Sequence, residues 1–294
     1  MRTFAQEINR SIEDAIVKDN SVVVGGQLVK YGVAGLTKGL FDKYPDNFIT
    51  YPVAESLMNS SAMGLALAGK RVVMIHVRID FLASGMCSLV NHIPIWFHKG
   101  FDLPITFVCQ VGKGMGQGAQ HSQAFHSYFM HVPGIKVVAP TTPHDAKGCL
   151  IASIRDNNPV VFVEHRMLYS NTGYVPNNLY EVEFGKGRVL IEGTDITLVG
   201  ASYTVTDCIR AAEALKKIGI SAEVIDPVSL SPIDYDLIRK SANKTKKVLV
   251  VDNGWLTCGF SSEIIADLGI NCSNLKLDTQ ILIEAHPQIA CQNH

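Results

Sequence analysis

An excess of basic charge is missing from this chain: 26 Lys and Arg stand against 27 Asp and Glu in 294 residues, a net charge of −1. Nucleic acid is thereby excluded as the main partner, because binding to a phosphate backbone is built on clustered cations. The one basic run, KSANKTKK (240–247), reads as a solvated connection ahead of a strand. Paired cysteines are missing too. The 7 cysteines are scattered, odd in number and never spaced C-x-x-C, which argues against zinc and for a reducing, cytoplasmic setting. No window is apolar enough for the roughly 20 residues of a membrane span. Nor does the N-terminus read as a targeting signal. MRTFAQEINRSIEDAIVKD sets Phe4, Ile8, Ile12, Ala15 and Ile16 on one helical face, the pattern of an amphipathic helix.

What is present is apolar material, 47% of residues against 18% charged, in a length that suits two domains. SVVVGG (21–26), FITYPV (48–53), RVVMIHV (71–77), LPITFVCQ (103–110), GIKVVAP (134–140) and PVVFVEH (159–165) read as strands. Between them helices are expected over 32–46, over 55–69, from 81 to 99 with a break at Pro94, and over 143–156. Unbroken apolar strands alternating with helices imply an α/β domain, residues 1–165. Its parallel sheet should be covered on both faces, with ligands at the carboxyl ends of the strands. Residues 166–187, rich in Asn, Tyr, Gly and Pro, read as a linker. The alternation then restarts with strands at 195–202, 221–227 and 247–253 and helices over 206–219, 234–243 and 260–269. Residues 188–294 are therefore a second, smaller α/β domain.

Two places in the first domain hold candidate chemistry. The loop GKGMGQG (112–118) has backbone N–H groups able to cradle an anion, yet it lacks G-K-[ST] and runs into AQHSQ rather than an apolar helix. A mobile substrate-access loop is the preferred reading, with phosphate binding kept open. His121, inside AQHSQ, is either a general acid/base or donor to a substrate oxygen, or a surface histidine on a flexible loop. His126 and His131 follow at spacings of five, unlike the i, i+4 spacing of a helical metal pair. Glu55 opens the helical stretch ESLMNSSAMGLALAG with no cation near it in sequence. The helix dipole favours an acid there by about 0.3–1 kcal/mol. It does not explain the small residues Ser56, Asn59, Ser60, Ser61, Ala62 and Gly64 behind it, which leave room for something flat. An acid so placed could hydrogen-bond a ring nitrogen of a cofactor.

YPVAES (51–56), GLALAGKRVV (64–73), GAQHSQAFHSYFMHVPGIKVVAPTTPHDAKG (118–148) and IRDNNPVVFVEHRMLY (154–169) resemble the β subunits of thiamine-diphosphate-dependent 2-oxo acid dehydrogenases. The pyruvate, branched-chain and acetoin types are the nearest in pattern, and the carboxyl-terminal half of transketolase is similar more distantly. The resemblance covers nearly the whole chain. It implies a pyrimidine-binding domain followed by a transketolase C-terminal-like domain. It also implies that Glu55 hydrogen-bonds N1′ of the aminopyrimidine ring of thiamine diphosphate. Phe81 falls at the family's aromatic position against that ring, and Val53 and Val77 would line the same pocket. His121 matches the histidine thought to contact substrate or assist acyl transfer. Ser153, Ile154, Asp156 and Asn158, with Ile105, match a potassium site of some β subunits, built mainly from backbone carbonyls.

The family's magnesium-diphosphate motif, G-D-G with an asparagine some thirty residues on, is missing from the chain. In two-chain members it lies on the α subunit. The resemblance thus implies half a cofactor site here, with Mg²⁺ and the diphosphate held by an α-type partner in an α2β2 assembly. Departures are several. Gln27 stands after Gly26 where the family usually has an acid. Ser84, Cys87 and Ser88 replace the usual glutamine and aspartate, with Asn91 kept. The end, ILIEAHPQIACQNH, lacks a proline-bearing stretch and last helix. The expected reaction is decarboxylation of a 2-oxo acid, the acyl or hydroxyalkyl unit passing to an acceptor such as the lipoyl group of an acyltransferase. One alternative is a split transketolase-like or acyloin-forming subunit moving a two-carbon unit. Another is a catalytically silent structural subunit, against which Glu55 and His121 together argue.

Overall fold

The computed structural model describes residues 1–277. The chain begins with β1 (Arg2–Thr3), α1 (Phe4–Lys18) and β2 (Val22–Gly26). Next come α2 (Leu40–Lys43), β3 (Phe48–Thr50), α3 (Glu55–Leu67), β4 (Arg71–His76), α4 (Ile79–Leu82) and α5 (Ile93–His98). Then follow β5 (Ile105–Val111), α6 (His126–Met130), β6 (Lys136–Val138), α7 (Pro143–Arg155), β7 (Val160–His165) and β8 (Thr172–Gly173). The rest is β9 (Arg188–Ile191), β10 (Ile196–Gly200), α8 (Tyr203–Lys216), β11 (Ala222–Asp226), β12 (Ser229–Ser231), α9 (Tyr235–Thr245), β13 (Lys247–Val251), α10 (Phe260–Asn271) and β14 (Lys276–Leu277). A seven-stranded sheet runs β12-β6-β7-β5-β4-β2-β3, parallel except for β12, and a five-stranded sheet runs β14-β13-β10-β11-β9, parallel except for β9. No helix among the described residues is long and apolar enough to cross a membrane.

Strand periodicity divides the first core. On β4, Val72 and Met74 face α3 and its neighbours, while Val73 and Ile75 face α1 and α7; on β7, Val161 and Val163 part from Val160 and Phe162 in the same way. Both faces are covered, so the strands are apolar throughout. Helix α1 starts with a reciprocal cap, Thr3 accepting from the Gln6 N–H and Gln6 from the Thr3 N–H, a device worth about 1 kcal/mol. The second domain is not walled off. Val199, Ile225, Val248, Phe260 and Leu268 share one apolar cluster with Phe107, Phe129 and Val137 of the first.

Two expected helices come out differently. Over 32–46 there is a chain of single 3-10 turns and the short α2, with Val33 and Ala34 at positive φ (24° and 52°). Leu36, Leu40 and Phe41 still turn inward, so the apolar spacing is real while the backbone between glycines is not helical. Over 81–99, a wide π turn at Ser88–His92 precedes α5. Pro94 has no N–H to give and its ring crowds the carbonyl four residues back, which a widened turn relieves. The linker is strapped onto the first domain: β8 pairs with β1, and the Val182 N–H donates to the Gly148 carbonyl at 3.2 Å. Strand β12 is a further departure. It leaves the second domain to pair with β6 of the first, too short a segment to show periodicity. The C-terminal departure at ILIEAHPQIACQNH lies outside the described residues.

A buried ionic cluster pins the domains together. Arg188 of β9 donates to Asp145 on α7 and, at 3.2 Å, to Asp226 on β11; both carboxylates are fully buried. Burial opposes ionisation of Asp145, but bonds from His144 and Arg188 and the guanidinium charge hold its carboxyl down to about 2. Burial raises Asp226 to about 6 despite Arg188, with Asp145 adding to the rise. The Asp145 contribution to stability is thus present above the unfolded carboxylate value and lost as pH falls towards 2, whereas Asp226 favours the folded state less as pH climbs through 6. Removing the guanidinium takes away the cationic partner of both buried acids, a greater loss the higher the pH. Arg188→Ala is expected to cost about 3 kcal/mol in urea denaturation at neutral pH and less near pH 5. An equal deficit at both pH values would mean that Arg188 acts by packing alone.

Candidate active site

The carboxyl ends of β2, β3, β4, β5 and β7 gather the candidate side chains. Tyr51-Pro52 ends the extended run after β3, and α3 starts at Glu55 with Ala54 as its N-cap. Alanine has no side-chain acceptor, so Glu55 is the acidic group that meets the positive end of the helix. The carboxylate is half-buried, and the Gln27 amide Nε2 donates to its Oε1 at 2.8 Å. Oε2 has no protein partner among the described residues. Behind it the exposed face of α3 is Ser56, Leu57, Ser60 and Gly64, and a Cβ built at Gly64 meets nothing within 4 Å.

Ser56 Oγ donates to the Ser84 carbonyl at 2.8 Å and Ser60 Oγ meets Ser88 Oγ at 2.9 Å, which ties α3 to the segment that follows Phe81 and α4. Phe81 and His121, forty residues apart in the chain, meet edge to face, ring centroids 5.2 Å apart at 87°. Their separation in sequence gave no hint of this contact. Asp80, beside Phe81, accepts from the Gln123 N–H at 3.2 Å, keeps a buried Oδ2 unpartnered, and has its carboxyl raised by burial. The glycine-rich loop is held at both flanks. Arg78, nearly buried, donates to the Val77 carbonyl (2.6 Å) and to Gln117, and Lys113 donates to the Asn253 carbonyl (2.7 Å) of the second domain.

Of the remaining expected residues, Val53 is 82% exposed beside Glu55, whereas Val77 packs with the α1–α7 core, on the opposite sheet face from Met58. The expected potassium ligands lie at the far end of the sheet. There Arg71 Nη1 donates to the carbonyls of Ile154 (3.1 Å), Arg155 (3.1 Å) and Asp156 (3.3 Å), so a tethered cation already occupies two of the five. The Asp156 carboxylate takes Lys136 at 2.6 Å and the Asn158 N–H at 2.9 Å; Ser153 Oγ donates to the Cys149 carbonyl, and Ile105 is buried in β5.

Sequence reading missed two buried groups near the loop. Glu164 ends the apolar run of β7 and is fully buried; burial pushes its carboxyl up to about 7, although the Tyr169 hydroxyl donates to it at 2.6 Å. Gln110 donates to that hydroxyl, also at 2.6 Å. The other is an interdomain pair, His126 Nε2 with Asp252 Oδ2 at 3.1 Å. Burial opposes ionisation of Asp252, and the His126 charge and hydrogen bond bring its carboxyl below the ordinary value. An acid closing an otherwise apolar strand was the available signal for Glu164; nothing in sequence joins His126 to Asp252.

Residues 2–172 match the transketolase pyrimidine-binding domain and residues 185–282 the transketolase C-terminal domain. Among curated relatives, the acetoin:2,6-dichlorophenolindophenol oxidoreductase subunit beta of Cupriavidus necator is 35% identical over 276 residues, covering 89% of this chain and 82% of its own. The mitochondrial pyruvate dehydrogenase E1 subunit beta of Dictyostelium discoideum is 37% identical, covering 90% and 77%. The pyruvate dehydrogenase E1 subunit beta of Bacillus subtilis is 35% identical, covering 97% and 90%. A solved split-gene transketolase, described as an inactive β4 tetramer, shares the fold with a TM-score of 0.81 at 21% identity over 95% of this chain and 88% of that one.

Placement of His121 depends on a close approach. A Cβ at Gly112 would fall 2.3 Å from the His121 carbonyl oxygen and 2.9 Å from Arg78 Nε. Gly112→Ala is therefore expected to displace the 119–121 turn and open the Phe81–His121 contact while sparing the sheet. Hydrogen exchange over 112–123 should quicken against an unchanged β5 and β7. Unchanged exchange in that loop would show that the approach is not what holds it.

Proposed function

The chain belongs to the transketolase family by both of its domains, and from that premise we propose that it is the β-type subunit of a two-chain thiamine-diphosphate enzyme. The proposed reaction is decarboxylation of a 2-oxo acid, with the acyl or hydroxyalkyl unit passed to an acceptor such as a lipoyl group. The relatives named as β subunits of pyruvate and acetoin enzymes support the substrate class. One observation carries the reading: an acid at a helix start with one oxygen fixed by Gln27 and the other unpartnered, fronted by small residues.

The residues fit the aminopyrimidine end of the cofactor. When bound, thiamine diphosphate would supply a nucleophilic thiazolium C2 for the substrate carbonyl. Glu55 would hold N1′ in its protonated form through a charge-assisted hydrogen bond, worth about 1.5–3 kcal/mol. Phe81 would flank the ring and, by its edge contact, set the direction of the His121 imidazole. His121 would then meet the substrate from the loop side. Arg78 holds that loop through Gln117, and Lys113 ties it to the Asn253 carbonyl.

The other half of the site belongs to an α-type partner holding the diphosphate and Mg²⁺. Leu28, Tyr31, Val53 and Leu57, large apolar side chains at 55%, 80%, 82% and 52% exposure, flank Gln27 and Glu55 in sequence. Exposed apolar groups concentrated around a polar site mark a surface made to be covered. Pairing two of each chain closes the assembly as α2β2.

Glu55→Gln keeps the shape and removes the charge. Turnover of the reconstituted enzyme is expected to fall by about 10²-fold or more with the melting temperature unchanged. Activity near wild type would refute the role of Glu55. The isolated chain, with an aromatic contact and one strong hydrogen bond to offer, should bind thiamine diphosphate weakly, since these contacts do little more than offset immobilisation of the ligand. Calorimetry with Mg²⁺ on the chain alone and then with its partner checks this; tight binding and turnover by the lone chain would sink the half-site.

A further inference from the structure

The turn after β2 is shaped to aim one side chain. At Gly26 a Cβ would lie 2.6 Å from the Ile75 carbonyl oxygen, so the strand end can press against β4 only as glycine. Leu28, two residues on, sits in the left-handed region (φ 59°) with its side chain outward. Between them Gln27 is turned inward, 8% exposed, and its Nε2 reaches Glu55 Oε1 at 2.8 Å and the Met58 sulfur at 3.8 Å. A buried amide with a strained turn on one side and an obligatory glycine on the other is a fixed donor.

We infer that Gln27 is the positioning residue of the site: its amide clamps one oxygen of Glu55 so that the carboxylate presents the other to its ligand. The inference rests on Glu55 being the acid that meets the cofactor ring. Other ionisable groups on the surrounding elements are engaged elsewhere. Lys30 lies over the Phe41 ring at 5.2 Å, the Tyr51 hydroxyl meets Ser61, and His76 is buried against Asn59 at 2.9 Å; Tyr31 is exposed. The amide is therefore the polar contact that orients Glu55. Glutamine does this without charge of its own. An amide donor cannot itself take up a proton, whereas a second acid at the same distance could hold one between the pair.

The difference between amide and acid supplies the test. Gln27→Ala removes the clamp, and Gln27→Glu puts two carboxylates where one stands. In the assembled complex with Mg²⁺, calorimetry should show Gln27→Ala weakening thiamine diphosphate about tenfold, the effect of one hydrogen bond to a charged group. For Gln27→Glu, affinity relative to wild type should be nearly normal at low pH, where a proton shared by the pair restores a donor. It should fall as pH rises and both acids ionise. Carbon-13 titration of the full-length, cofactor-free variant should show one carboxyl raised well above the ordinary glutamate value. Unchanged affinity in Gln27→Ala, a ratio for Gln27→Glu that does not move with pH, or two ordinary carboxyls would each overturn the inference while leaving the site reading intact. Failure of the wild-type complex to bind thiamine diphosphate would overturn the site reading, and the inference with it.

Discussion

Covering a parallel sheet on both faces leaves only its edges and strand ends in contact with water. That constraint organises the molecule. With α1 and α7 on one side and α3 with the residue 79–98 segment on the other, polar side chains have few places to go. At the carboxyl ends of β2, β4, β5 and β7, which neighbour one another in the sheet, Gln27, Arg78, Gln110, Glu164 and His165 stand in a row. A pyrimidine-sized ligand can be met there by an acid from one βα turn and an aromatic from the next.

The second constraint is electrostatic. Acids brought into this edge lose hydration, and each is treated differently. Glu55 stays half-exposed and is held by a neutral amide. Glu164 is fully buried, takes a hydroxyl donor, and is raised to about 7. Asp252 is buried against a histidine and lowered. Of the two buried acids, Glu164 is thereby the one able to hold a proton near neutrality, whereas Asp252 is kept charged. Because Asp252 and Asn253 belong to the second domain and His126 and Lys113 to the first, the loop bearing His121 is set by the domain junction as much as by its own sheet.

How much could be read in advance depends on how local each signal is. Helix α1 and strands β2, β4, β5 and β7 are legible because burial imposes a period on consecutive residues. The 32–46 segment deceives for the same reason: its apolar spacing is helical, but the positive φ values of Val33 and Ala34 depend on the surrounding turns. Glu55 stands out as a charge against an apolar background. Gln27 stands out only against the acid usual in the resembling family, and its pairing with Glu55 on a different element left no trace in the sequence. The Arg71 contacts with the 154–156 carbonyls, the Phe81–His121 packing and the strand exchange at Ser229–Ser231 are likewise products of tertiary proximity. Periodicity carries no information about such pairs.

Dividing a cofactor site between two chains changes what the stability of each chain must support. A complete pocket in one chain would have to close around its ligand and bury its own apolar rim. Here the rim stays open, with Leu28, Val53 and Leu57 exposed about an acid whose free oxygen points to no protein group among the described residues. Such a surface is unfavourable in water and unspecific if mobile. A strained turn and a glycine fix Gln27, and small residues line α3 in place of flexible ones. In the proposed α2β2 enzyme such rigidity would lower the ordering cost on assembly and make binding of partner and cofactor mutually dependent.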